Sequence, residues 1–134
     1  MKEEVIEQFK DLVTIDSHSK KEGAIAQYLI ELLEDWGLEV STDDAGSAID
    51  GETGNIIAKL EGSAKLPTLL FCAHLDTVIP GENVEPVLEE GVIYSQGDTV
   101  LGADDKAGIT AILGMLKRVQ EEDIPHGDIE VVFT

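Results

Sequence analysis

Apolar and polar positions follow two periods along this chain, and each period marks out its elements. Val5, Ile6, Phe9, Leu12 and Val13 recur at helical spacing, which predicts an amphipathic helix over residues 2–14. A second helix is predicted from near Ser19 to Gly37. Its stripe is Ile25, Leu29, Leu32, Leu33 and Trp36; Ser19 and Glu22 have the spacing of a capping box, and Gly37 supplies the stop. Residues 38–42 switch to the alternation of a strand, a polar glycine-bearing loop fills 43–54, and 55–60 is the next strand candidate. Residues 68–73, Thr-Leu-Leu-Phe-Cys-Ala, are almost continuously apolar, as expected for a central strand covered on both faces. Residues 85–94 predict a hairpin turning at Glu90-Gly91. Ile109, Ile112, Met115, Leu116 and Val119 share one face of a helix over 105–119, and 129–134 closes the chain as a strand.

Alternating strands and helices predict an α/β domain, with helices packed on both faces of a mixed, largely buried sheet. No repeat, low-complexity tract or linker divides the chain. It stops inside a strand, so residues 1–134 are expected to be the N-terminal part of one larger catalytic domain.

Composition narrows the partners. An apolar fraction of 43% fits a chain that buries a core, and 28 acidic against 9 basic residues leave a net charge of −19. Such a field repels phosphate backbones, which argues against nucleic acid, and accommodates metal ions or peptides with a free amino terminus. Cys72 is the only cysteine, so no internal disulfide forms. The opening Met1-Lys2-Glu3-Glu4 lacks a signal peptide's apolar stretch and no run is long enough to span a membrane, so a cytoplasmic protein is expected.

Two segments carry candidate chemistry. His74-Leu75-Asp76 follows the apolar strand, and in extended structure the His74 and Asp76 side chains share a face. A carboxylate beside an imidazole fixes its tautomer, which a metal-ligating histidine needs, and strand ends are where open α/β sheets gather ligands. Alone, His-x-Asp is also an ordinary structural hydrogen bond. The second segment is the turn into a helix, Gly102-Ala103-Asp104-Asp105-Lys106-Ala107-Gly108. Asp105 suits the helix N-cap, which leaves Asp104 free to point across to His74; its two oxygens can each hold one metal ion. Lys106 opposes the helix dipole unless a local carboxylate offsets it. No Gly-Lys-Ser/Thr follows, so this is not a phosphate loop.

These residues carry a resemblance. "HLDTV" followed by "LGADDKAG" resembles the signature pair of the two-zinc peptidase and deacylase family, which includes peptidase T, carboxypeptidase G and acetylornithine deacetylase. The intervening "VIPGENVEPVLEEGVIYSQGDT" is most similar to the peptidase T branch, and the likeness runs from "LVTIDSHSKKEGAIA" to "IEVVFT". The resemblance implies that His74 ligates one zinc, that Asp104 bridges two, and that Asp76 is the catalytic-site carboxylate orienting His74. It implies a cis peptide between Asp104 and Asp105. Zinc is the implied metal, with cobalt or manganese as substitutes, and a short peptide is the implied substrate. The family's general base and next ligand are a Glu-Glu pair just beyond a strand like "IEVVFT". That pair, a further acidic ligand, a C-terminal histidine and the lid domain are not in these residues. The chain alone is therefore expected to bind zinc weakly and to be inactive.

Other readings stand beside this one. A deacylase of N-acyl amino acids would use the same metals. A non-catalytic phospho-acceptor module also pairs aspartates, but at a strand end and not at the opening of a helix. Cys72 shares the His74 face, and a buried structural role suits it better than ligation. His18, between two helices, and His126, after Pro125 in a turn, are expected to be ordinary surface residues. Uncovered sheet edges invite self-association.

Overall fold

The apolar stripes of the helices supply much of the core, although Val5 near the start of the first stripe stays 37% exposed. The computed structural model describes residues 2–134. Helix α1 spans Lys2–Thr14, α2 Gly23–Asp35 and α3 Ala103–Glu121; the strands are β1 Glu39–Thr42, β2 Ile56–Leu60, β3 Leu69–Ala73, β4 Glu85–Glu89, β5 Val92–Gln96 and β6 Ile129–Phe133. Helix α2 stops where Gly37 turns to φ 80°, with Leu38 N–H donating to Leu33 O at 3.0 Å and Gly37 N–H to Glu34 O at 2.8 Å. The β4–β5 hairpin turns at Glu90 and Gly91, both at positive φ (50° and 84°), the conformation that matches strand twist in a two-residue turn.

The main sheet has the order β1-β2-β6-β3. β1 and β2 are antiparallel, as are β2 and β6, whereas β6 and β3 are parallel. A parallel pair needs a long crossover, and here the connection contains the β4–β5 hairpin and α3. One core joins Leu12 of α1, Ile25, Leu29 and Leu33 of α2, and Ile109, Leu113 and Leu116 of α3 to the sheet face made by Ile56, Ala58, Ala73, Ile129, Val131 and Phe133. No helix among the described residues is long and apolar enough to cross a membrane.

The α/β class and the mixed sheet are as expected. Cover on the second face is not found among the described residues: Ile57, Leu70 and Cys72 are exposed there. β3 also ends the strand order and is therefore an edge strand, not the central one its apolar run suggests, with Leu69 and Leu70 53% and 63% exposed. Cys72 is exposed for the same reason, contrary to the buried role expected of it. An apolar run reports what a strand is able to bury, not whether a neighbour is present to bury it.

The start of α2 also differs. Helix geometry begins at Gly23, after Lys20 has taken a positive φ of 72°, and Glu22 occupies the cap position with no side-chain cap. Glu22 Oε1 instead accepts the Lys20 N–H at 2.7 Å, and Ser19 does not cap the helix. Leu29→Ala should cost about 2–5 kcal/mol of stability, whereas Leu70→Ser should change it by no more than about 0.5 kcal/mol. Urea unfolding followed by Trp36 fluorescence measures both; equal losses would mean that β3 is covered.

Candidate metal centre

The sheet delivers the first candidate side chain. Pairing of β3 with β6 continues past Ala73, through Thr134 N–H to Ala73 O (3.0 Å) and Leu75 N–H to Thr134 O (2.7 Å). Leu75 turns into the core at 1% exposure, so its neighbours His74 and Asp76 face the other way. His74 Nδ1 lies 2.9 Å from the Asp76 carbonyl oxygen and 3.1 Å from Asp76 Oδ1. A backbone carbonyl can only accept, so Nδ1 carries the proton and Nε2 is left to face outward.

The start of α3 delivers the second. Asp104 (φ −96°, ψ 102°) and Asp105 (φ −119°, ψ 31°) depart from helical geometry, and the peptide between them is cis, as the resemblance implies. The two aspartates separate accordingly. Asp105 Oδ1 accepts the Gly108 N–H at 3.1 Å and so caps the regular helix, as expected. A Cβ on Gly108 would stand 2.3 Å from that oxygen, so a larger residue there would displace the Asp105 carboxylate from this position. Asp104 points across the gap, and its Oδ1 lies 3.0 Å from His74 Nε2 with the side chain 96% exposed. Gly102, at φ 77°, permits this approach; its Cβ would stand 3.1 Å from Thr77 Cγ2.

A third segment, not foreseen as part of the site, lies against both. Ser17 is fully buried; its Oγ donates to Leu75 O at 2.9 Å and its carbonyl accepts Thr77 N–H at 2.8 Å. His18 bridges Thr77 through the backbone, and its Nδ1 lies 3.4 Å from Glu82 Oε1, so it belongs to this segment and is not an ordinary surface residue. The Ser19 hydroxyl donates to Asp76 Oδ2. Lys106, 1% exposed, donates from Nζ to Ile15 O at 2.6 Å. Burial pushes its pKa down to about 8, with the Asp16 charge opposing. Residues 15–19 thus touch the segments carrying both His74 and Asp104. Nothing in their spacing shows this, because the contacts span 57 to 91 residues of sequence. His126 remains in its turn, its Nδ1 2.7 Å from Gly127 O.

His74 Nε2 and Asp104 Oδ1 fit a cation between them. With the proton on Nδ1, a neutral His74 presents a lone pair to a carboxylate, and two acceptors at 3.0 Å need a proton or a metal to hold them together. Two donors at zinc-ligand distance in a tetrahedral arrangement stand roughly 3.3 Å apart, close to what is found. Among the described residues no group of three or more His, Cys, Asp or Glu is placed to hold an ion, so the chain supplies two donors and not a full set.

The fold is of the α/β class, with a mixed sheet, and comparison with known proteins matches it to part of known peptidases. The sequence pattern of peptidase family M28 matches residues 55–134, and the chain belongs to that family. It is peptidase T-like. Uncharacterized protein YqjE of Bacillus subtilis (strain 168) is 42% identical over 130 residues, covering 97% of this chain and 35% of that protein. The structure of aminopeptidase PepT from Bacillus cereus ATCC 10987 matches with a TM-score of 0.97 at 37% identity, over 100% of this chain and 36% of that one. A tripeptidase from Staphylococcus aureus matches with a TM-score of 0.96 at 38% identity, over 100% and 36%. The chain therefore spans little more than a third of the length of these relatives.

Burial acts to lower the His74 pKa, but the hydrogen bond to Asp104 and the contacts with Asp76 outweigh it and raise the pKa above the ordinary 6.5. A raised folded-state value means that this contribution to stability is fully present below the unfolded value and is lost as pH rises through the folded one. Asp104→Asn removes the carboxylate charge, so the His74 titration midpoint should fall. Proton NMR of the imidazole against pH measures it, and an unchanged midpoint would mean that Asp104 does not face His74 in solution.

Proposed function

We propose that this chain contributes to the active site of a zinc-dependent exopeptidase that releases N-terminal residues from tripeptides and other short peptides. The observation that carries the reading is the 3.0 Å approach of His74 Nε2 to Asp104 Oδ1, with the far side of the imidazole already committed to Asp76. The names of the tripeptidase and aminopeptidase relatives support the substrate class.

His74 presents Nε2 as a neutral donor because Asp76 holds the proton on Nδ1. Asp104 offers one oxygen beside His74 and leaves the other toward open solvent, an arrangement suited to bridging a pair of ions. Zinc at such a site supplies a water nucleophile at neutral pH and polarises the scissile carbonyl. The acidic surface, at net −19, attracts both the metal and a peptide's ammonium group. Two protein donors fall short of the three or four a zinc site takes, so the remaining ligands and the general base come from outside these residues. The chain by itself binds zinc weakly and does not turn over.

A chimera in which this chain replaces the matching part of Bacillus cereus PepT tests the proposal on a tripeptide panel. It should cleave tripeptides, lose activity to a chelator and regain it with zinc. His74→Ala or Asp104→Ala should lower kcat/KM by more than about 100-fold, the upper end for loss of an outer partner. Chelator-resistant cleavage, or full activity in either variant, would refute the reading.

A further inference from the structure

We infer that Ser19 is a positioning residue that sets the proton on His74 by holding Asp76 from behind. The inference rests on the metal-centre reading for its purpose, but its geometry stands alone. Asp76 has two carboxylate oxygens and a side chain free to turn about its last bond. Ser19 Oγ donates to Oδ2, which commits Oδ1 to the His74 side, 3.1 Å from Nδ1. The Asp76 side chain is 39% exposed, so without that tether its carboxylate is able to rotate into solvent, leaving only the Asp76 carbonyl at Nδ1.

Two features keep Ser19 in this role. Its hydroxyl has no competing duty at a helix terminus, since α2 starts at Gly23 and Glu22 serves the Lys20 N–H. Its backbone is registered against the ligand-bearing strand end by the Ser17 Oγ–Leu75 O and Thr77 N–Ser17 O bonds and by the His18–Thr77 bridge. The chain turns away immediately afterwards, at Lys20 with φ 72°. The result is a relay from Ser19 through Asp76 and His74 to Asp104, in which the outermost hydroxyl biases which nitrogen carries the proton.

The test reads the His74 tautomer by nitrogen NMR of the imidazole, without metal and well above the ring's titration range. An Asp104→Ala background removes the rival acceptor on Nε2. In that background the Nδ1–H form should dominate. Adding Ser19→Ala should shift the tautomer ratio toward Nε2–H by about threefold or more, in the direction of an Asp76→Ala reference, and Ser19→Thr should restore it. A merely structural Ser19 would lower thermal stability without moving this ratio. An unchanged ratio in Ser19→Ala, or a parent already dominated by Nε2–H, would overturn the inference. Absence of zinc binding would count against the metal reading alone, because no metal enters this experiment.

Discussion

A neutral imidazole has one proton and two nitrogens, and the rest of the site follows from where that proton is held. At His74 it is committed to Nδ1 by the carbonyl and carboxylate of Asp76, and Nε2 is turned onto the Asp104 carboxylate 3.0 Å away. Two acceptors at that distance are unfavourable unless a proton or a metal ion stands between them. The fold keeps them there: His74 by the parallel β3–β6 pairing, Asp104 by a departure from helical geometry ahead of α3. Both anchors are buried at their bases, through Leu75 on one side and Lys106 on the other. The arrangement is therefore rigid where the backbone is placed and open where the side chains meet solvent.

Residues 15–19 tie these anchors together. Lys106 is the clearest case, since a lysine with 1% exposure pays for desolvation only by its bond to the Ile15 carbonyl and the nearby charge of Asp16. The same short segment reaches Leu75 and Thr77 through Ser17 and Asp76 through Ser19. One loop between α1 and α2 thus sets the spacing of two side chains that lie 30 residues apart from each other.

Local patterns in the sequence were enough to locate the three α-helices and the six strands, because the stripe of α2, the Glu90-Gly91 turn and the Asp105 cap are each written within a few residues, whereas the short 3-10 helix at Ala45–Ile49 lies in what reads as a polar loop. The meeting of His74 with Asp76 was legible for the same reason, as an i, i+2 pair in extended structure. What was not legible depends on partners distant in sequence. β3 is apolar enough for a central strand, yet lies at an edge with Leu70 exposed. Ser19 and Glu22 have capping-box spacing, yet Ser19 bonds to Asp76, because that tertiary acceptor lies within reach and the helix begins only at Gly23. Lys106 reads only as a first-turn charge that opposes the helix dipole, and only the folded chain places the Ile15 carbonyl where it makes burial tolerable.

The central claim is that His74 and Asp104 share a metal ion. Anomalous diffraction at the zinc edge, from crystals of this chain soaked in excess zinc, tests it most directly. A net charge of −19 offers many surface carboxylates as weak adventitious sites, so position is what matters. The expected result is a peak about 2.0–2.2 Å from both His74 Nε2 and an Asp104 oxygen. Peaks confined to other surface carboxylates, with none between these two residues, would contradict the account.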